Sequence, residues 1–406
     1  MREIILISFL GPDQPNQFTR LMQVLSAHSL QILDVGQAVI HNQLTLGIVV
    51  ASEDQTATAL AMKEILILAH DIGLTVRFKP ISATEYDQWV KEGGRTRYIV
   101  TALAPELNAS HLQAVTQIVS AQGFNIETVT RLSGRPALDG HSSGPKRACV
   151  GFGLKGQMLD AAAMRAACLR LSTELNVDVA VQEDNAYRRN RRLVCFDMDS
   201  TLIEQEVIDE LAIEAGVGAQ VAEITERAMQ GELDFQQSFR ARVALLKGMD
   251  ASVLPKIAER LTITEGAERL ISTLKALGYR TAILSGGFQY FAEYLQSKLD
   301  IDEVHANALD VQDGVVTGEV KGHIVDGARK AFLLGEIAQE MGISLEQTIA
   351  VGDGANDLPM LSIAGLGVAF RAKPLVRQNA NQAISSVGLD GVLYLLGVHD
   401  KDLNRA

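Results

Sequence analysis

A chain of 406 residues is too long for one ordinary hydrophobic core, and 47% hydrophobic with 21% charged residues describes folded globular domains rather than extended disorder. The formal net charge of −12 is a poor match to a phosphate backbone and speaks against a nucleic-acid partner. No stretch approaches the roughly 20 apolar residues of a membrane span, and Cys149, Cys168 and Cys195 sit far apart in apolar runs with no C-x-x-C pair, which predicts buried reduced thiols in a cytoplasmic protein.

The chain opens on a strand. Residues 2–10 form a β-type apolar run with an acid early and no small-residue cleavage site, and the run breaks at Gly11-Pro12-Asp13, unlike a signal peptide. A second such run, 97–103, ends in Ala104-Pro105. Each leads into an amphipathic helix pattern, residues 16–28 and 108–122, then a turn and a strand beginning at Leu30 and at Phe124. The offset is 93–94 residues (12 to 105, 30 to 124), which predicts tandem copies of one unit. Within each the order is β-α-β-β-α-β, the split βαβ arrangement. The first copy closes with a helix at about 56–72 and a strand at 74–78, the second with residues 157–175 and 177–181. Residues 89–94 separate the copies. Beyond the second come Arg188, Arg189, Arg191 and Arg192, which in so acidic a chain read as a solvated linker.

From Arg192 strands alternate with helices, the pattern of a parallel sheet covered on both faces. Candidate strands are Leu193–Phe196, 281–284, 348–351 and 367–370. Between the first two, about 204–262 has helical periodicity and no strand, with Ile203, Val207, Ile208 and Leu211 at helical spacing, so it predicts a helical insert. Residues 307–311 and 315–318, joined around Asp313-Gly314, predict a β-hairpin. The expected domains are 1–88, 95–184 and 192–400.

Chemistry gathers at the predicted strand ends. Asp197-Met198-Asp199 follows the first strand, where ligands bind in open α/β sheets, and residues two apart on an extended chain point the same way. Two such carboxylates repel unless a proton or cation holds them, and Mg²⁺ is the natural oxygen-seeking choice. Ser285-Gly286-Gly287 follows the second strand, offering a hydroxyl and a glycine amide that a phosphate can approach closely. Lys330, in a helix-like run, supplies a point positive charge, and Gly352-Asp353-Gly354-Ala355-Asn356-Asp357 follows the third strand. Singly, these are a surface D-x-D, a turn, a solvated lysine and a Gly/Asn/Asp loop. Their joint order makes coincidence a poor account.

On these motifs, about 192–400 resembles the haloacid dehalogenase superfamily and, within it, the phosphoserine phosphatase family; Glu206, Met229, Phe235 and Arg242 extend the resemblance. The tandem N-terminal units resemble ACT domains, ferredoxin-like modules that often bind amino acids at domain interfaces. The resemblance implies a doubly wound Rossmann-like α/β core with a helical cap insert, preceded by two ferredoxin-like βαββαβ units. It implies hydrolysis of O-phospho-L-serine to L-serine and phosphate through an aspartyl-phosphate, the last step of L-serine biosynthesis. Asp197 would then be the nucleophile and Asp199 the acid and later base. Mg²⁺ would be held by the Asp197 carboxylate, the Asp199 backbone carbonyl and Asp353. Ser285, the Gly286 amide and Lys330 would stabilise the transferring oxygens, Asn356 would orient substrate, and Asp357 would support the metal site. Only the resemblance singles out Glu206 for the substrate ammonium and Arg242 for its carboxylate, with Met229 and Phe235 as apolar walls.

Gly151-Phe152-Gly153-Leu154-Lys155-Gly156 fits G-x-G-x-x-G but falls inside the second ferredoxin-like unit, which is no Rossmann half. No G-x-x-x-x-G-K-[ST] or H-E-x-x-H occurs. Rival readings are a phosphotransferase or a phosphatase for another small phosphate, and a sensory protein with a vestigial catalytic half. The first ACT-like loop carries Asn16 where such modules usually carry glycine, and Asn tolerates positive φ. An amino-acid effector such as serine and a homodimer follow as expectations from the module type.

Overall fold

The computed structural model describes residues 2–92, 96–136 and 146–403. The chain forms two compact units, residues 1–95 and 96–406.

In the first unit β1 (Glu3–Pro12), α1 (Gln17–Ala27), β2 (Gln31–Ile40), β3 (Gln43–Ser52), α2 (Gln55–Asp71) and β4 (Thr75–Ile81) build an antiparallel sheet in the order β2-β3-β1-β4. Strand alternation sends Ile5, Ile7 and Phe9 under the helices, against Leu21, Leu25, Ala61 and Ile65. Asn16 enters α1 at φ 66°, the left-handed conformation its short polar side chain tolerates. The segment expected only to separate the copies begins instead as a helix, α3 (Ala83–Glu92). Its Tyr86 packs with Ile4, Val49 and Ala51 on the outer face of the sheet, which gives this stretch an apolar reason to be ordered. Residues 93–95 lie outside the described residues.

The second unit starts with the same plan: β5 (Arg97–Ala104), α4 (Ala109–Ala121), β6 (Asn125–Arg131), β7 (Ala148–Lys155), α5 (Ala161–Leu175) and β8 (Asp178–Glu183), in the order β6-β7-β5-β8. The G-x-G-x-x-G run begins along β7, hydrogen-bonded on both sides by β5 and β6, so its backbone amides are committed to the sheet. Helix α5 starts at Ala161, later than the periodicity from 157 suggested, because Asp160 caps it by accepting from the Ala162 and Ala163 N–H groups. One sheet face packs on α4 and α5 through Val100, Ala102, Phe152, Val119 and Met164. The other face, with Leu103, Cys149 and Ala180, shares a core with Leu389 and Leu393 of the α/β domain.

The arginine run is not a solvated linker. Arg188 and Arg191 are buried, while Arg189 and Arg192 are exposed. Arg188 and Arg189 both pair with Asp184, and Arg191 donates to Gln182 and to the Gly365 carbonyl, so neutral and charged acceptors draw two of the four inward.

The α/β domain follows. It comprises β9 (Leu193–Phe196), α6 (Val207–Glu214), α7 (Gly218–Met229), α8 (Phe235–Leu245), α9 (Leu254–Arg260), α10 (Ala267–Ala276), β10 (Arg280–Phe288), α11 (Gln289–Leu299), β11 (Glu303–Gln312) and β12 (Val315–Lys321). Then come α12 (Gly327–Glu340), β13 (Thr348–Gly352), α13 (Leu358–Ile363), β14 (Leu366–Phe370), α14 (Pro374–Asn379) and β15 (Gln382–Ile384). The sheet runs β12-β11-β10-β9-β13-β14-β15, all parallel except β12. Strand β9 is apolar on both faces because both are covered. Val194 and Phe196 join a core with Ile283, Val351 and Phe291, while Leu193 and Cys195 join one with Leu284, Leu333 and Leu361. Each such side chain contributes about 1.5–3 kcal/mol of burial. Helices α6 to α9 are the expected insert. The hairpin β11–β12 turns at Asp313 and Gly314, both at positive φ, as a D-G turn requires.

Candidate active site

After β9 the chain turns first to β10 on one side and later to β13 on the other, so the crevice beyond the carboxyl end of β9 is the sheet's switch point. Asp197 stands there, anchored by its N–H donating to Val351 O at 2.9 Å. Behind it the Thr201, Leu202 and Ile203 amides all converge on Met198 O, a tight turn that brings the chain back under the insert. Ser200, at φ 54°, donates from Oγ to Glu206 Oε1 at 2.9 Å and so holds that acid at the mouth.

Lys330, on α12 and with no exposed surface, lies 2.7 Å from Asp197 Oδ1 and 2.6 Å from Asp357 Oδ1. Burial alone would lower its pKa, but Asp197 and Asp357 outweigh that and raise it, so the ammonium is charged. Asp357 Oδ2 accepts the Gly354 N–H at 2.9 Å, which folds the loop after β13 onto the same point. Ser285, also buried, accepts the Gly287 N–H on Oγ at 2.9 Å. Gly286 and Gly287 are needed for close approach: a methyl group would come within 2.8 Å of Phe235 at the first and 2.6 Å of Asp199 Oδ2 at the second.

Carboxylate oxygens of Asp197, Asp353 and Asp357 lie within 4.8 Å of one another. This oxygen-only donor set fits a hard divalent cation, and the three could hold a metal ion. Burial first, and then the charges of Asp197, Asp357 and Glu206, push Asp353 up to about 8, the repulsion that a cation relieves. The Asp199 carboxylate stands apart from those three, with Oδ1 3.4 Å from the Val207 N–H. Burial, then Glu206 and Asp197, raise its pKa.

Helix α8 brings Arg242 toward the same mouth. Its buried Nε has no hydrogen-bond partner among the described residues, burial lowers its pKa, and Glu206, Asp209 and Asp199 oppose that shift. Phe235 stacks on Phe239 and stands over Gly286, whereas Met229 at the end of α7 is exposed. Asn356 is half-buried in the turn 355–357.

Two contacts escaped the motif reading. Asn307, buried on β11, donates from Nδ2 to Gly286 O at 2.8 Å and accepts the Val325 N–H on Oδ1 at 2.8 Å. The only signal was an asparagine inside a predicted strand, a residue type strands disfavour. Gln236 Nε2 donates to Asp326 Oδ2 at 2.6 Å, tying the start of α8 to the start of α12; nothing in the sequence marks that pair.

The haloacid dehalogenase-like hydrolase model matches residues 194–362 and the ACT domain model residues 3–79. The protein named phosphoserine phosphatase SerB2 from Mycobacterium tuberculosis is 39% identical over 405 residues, covering 99% of this chain and 95% of its own length. The phosphoserine phosphatase of Streptomyces coelicolor is 40% identical over 408 residues, covering 99% and 94%. Among solved structures, an unliganded probable phosphoserine phosphatase from Vibrio cholerae superposes with a TM-score of 0.59 at 34% identity, over 78% of this chain and 90% of that one.

Proposed function

The chain belongs to the phosphoserine phosphatases of the haloacid dehalogenase-like hydrolases, and from that premise we propose how its own residues divide the work. It is a phosphatase that hydrolyses O-phospho-L-serine to L-serine and phosphate through an aspartyl-phosphate. Asp197 is the nucleophile, attacking phosphorus and carrying the phosphoryl group. The observation that carries this is its place at the end of the central strand, 2.7 Å from the buried Lys330 ammonium. Asp199 gives its proton to the leaving serine oxygen and then takes one from the water that hydrolyses the intermediate. Lys330, Ser285 and the Gly286 amide hold the phosphoryl oxygens where charge develops. Asn356 orients the substrate.

Asp197, Asp353 and the Asp199 carbonyl would hold Mg²⁺, with Asp357 supporting it, and the ion would supply charge neutralisation between two anions. Glu206 takes the serine ammonium and Arg242 its carboxylate; the unpartnered Arg242 Nε supports that role. Phosphate release from L-phosphoserine, with Mg²⁺ and with EDTA, against other phosphomonoesters, tests the reading. Metal-dependent activity without preference for phosphoserine would discard the roles of Glu206 and Arg242.

We place residues 1–88, 95–184 and 192–400 as the domains, the first two as ACT units that bind an amino-acid effector and pair in a homodimer. Calorimetry with L-serine and light scattering test these. No helix among the described residues is long and apolar enough to cross a membrane; from composition and net charge we propose a cytoplasmic enzyme without nucleic-acid partners.

A further inference from the structure

A cavity of about 340 Å³ lies in the seam between α5 and β8 on one side and the β14–α14–β15 edge of the phosphatase sheet on the other. None of Asp197, Asp199, Glu206, Arg242 and Lys330 lines it. The seam is pinned by Gln382, whose Oε1 accepts the Val181 N–H at 2.9 Å while Nε2 donates to Val181 O at 2.6 Å.

Three arginines line the cavity: exposed Arg165, half-buried Arg377 and buried Arg191. Arg191 is 4% exposed, donates to Gln182 Oε1 at 3.1 Å and Gly365 O at 3.3 Å, and has a buried Nε with no partner among the described residues. Arg377 donates from Nη2 to Ser172 Oγ at 2.9 Å, and its buried Nε likewise has none. The buried acid in the lining, Asp178, is spent: Oδ1 accepts from Ser172 and Oδ2 from the Ser385 and Ser386 amides. Arg191 and Arg377 therefore donate only to neutral acceptors among the described residues. A desolvated cation in that position is what an anion compensates.

Part of the remaining wall is apolar, Met158, Met164 and Leu169 beside Val181 and Leu366, and the rest carries polar side chains such as Asn185 and Asn381. The planar guanidinium fork matches a carboxylate, and the apolar wall disfavours a fully hydrated inorganic anion. The volume is that of a small-ligand site. We propose that this seam binds a small carboxylic acid with an apolar body, its carboxylate against Arg191 and Arg377. Exposed Glu183 and Glu346 on the lining leave room for an ammonium on the same molecule.

The test is titration calorimetry on the full chain with 4-methylpentanoate, L-leucine and 4-methylpentan-1-ol, which share a carbon skeleton and differ in charge. Saturable binding of either acid, with none of the alcohol, is expected. Arg377→Gln should weaken it about tenfold or more, and Leu169→Trp, which fills the cavity, should abolish it. Both variants should keep phosphoserine turnover, because neither residue touches the catalytic crevice; if Leu169→Trp fails to fold, Arg377→Gln decides alone. Absence of heat from both acids up to about 10 mM, equal binding of the alcohol, or undiminished binding in Arg377→Gln overturns the proposal.

Discussion

Lys330 Nζ lies 2.7 Å from Asp197 Oδ1 in a position with no exposed surface, and Asp357 completes the pair from the other side. Removing one partner of such a buried pair costs about 3–5 kcal/mol, since the other charge stays buried without compensation. Lys330→Met should therefore lower the melting temperature in EDTA and reduce kcat by about a hundredfold or more. Thermal unfolding and phosphate release measure the two effects. A variant that melts lower yet keeps kcat within about threefold of the parent would make Lys330 a scaffold rather than an oxyanion partner.

Asp197→Asn keeps the shape of the side chain and its place at the end of β9 but removes the attacking oxygen anion. Turnover of phosphoserine should vanish while circular dichroism stays that of the parent. Appreciable residual phosphatase activity refutes the nucleophile assignment.

For Arg242 the contrast between substrates is the measurement. Arg242→Ala removes a half-buried guanidinium whose buried Nε has no partner among the described residues. The kcat/KM for phosphoserine should fall about 10- to 100-fold, the value of a charge-assisted hydrogen bond. Hydrolysis of p-nitrophenyl phosphate, which has no amino-acid carboxylate, should change little. Equal losses on both count against the contact.

Strands such as Leu193–Phe196 and Thr348–Gly352 were legible because parallel strands buried on both faces are unbroken apolar runs bounded by turn residues. The hairpin turn was legible because Asp313-Gly314 meets the demand for positive φ. Chemistry was legible only as motifs at strand ends. What stayed hidden depended on partners far away in sequence. Arg188 and Arg191 look like any solvated basic run until Asp184, Gln182 and Gly365 are near them. The outward face of the second sheet, Leu103, Cys149 and Ala180, carries the same alternation as any strand and gives no hint that the α/β domain covers it. Strand β15 has three residues, too few for a period to show. Asn307 could be noticed as odd, but its partners Gly286 and Val325 could not be guessed.

That asparagine makes a separate prediction. Asn307 holds the Gly286 carbonyl and so restrains the backbone of the residue whose N–H is assigned to the phosphoryl oxygens. Asn307→Ala takes the partner from the half-buried Gly286 carbonyl and from the buried Val325 N–H, the latter worth about 1–3 kcal/mol. We expect kcat to fall about tenfold or more, with KM moving less. Because the effect acts on the phosphoryl group, p-nitrophenyl phosphate should lose as much as phosphoserine, unlike in Arg242→Ala. A loss of stability with kcat unchanged would reduce Asn307 to packing.

The seam between the second ferredoxin-like sheet and the phosphatase domain should loosen in acid. Asp400 receives Arg269 at 2.7 Å, the Gly134 N–H at 2.6 Å and the Tyr394 hydroxyl at 2.9 Å. Burial pushes its pKa up, but these three partners outweigh burial and hold it below the usual carboxylate value. A depressed folded pKa contributes stability that is fully present above the unfolded value, about 3.9, and is lost as pH falls through the folded one. Asp400→Asn should therefore melt below the parent at pH 7, and the gap should close as pH drops below about 4. The active-site carboxylates titrate in both proteins and cancel in the difference. Melting curves of the two proteins from pH 7 to about pH 3 measure it, and a gap that stays constant to the acid end would show that Asp400 does not act through its charge.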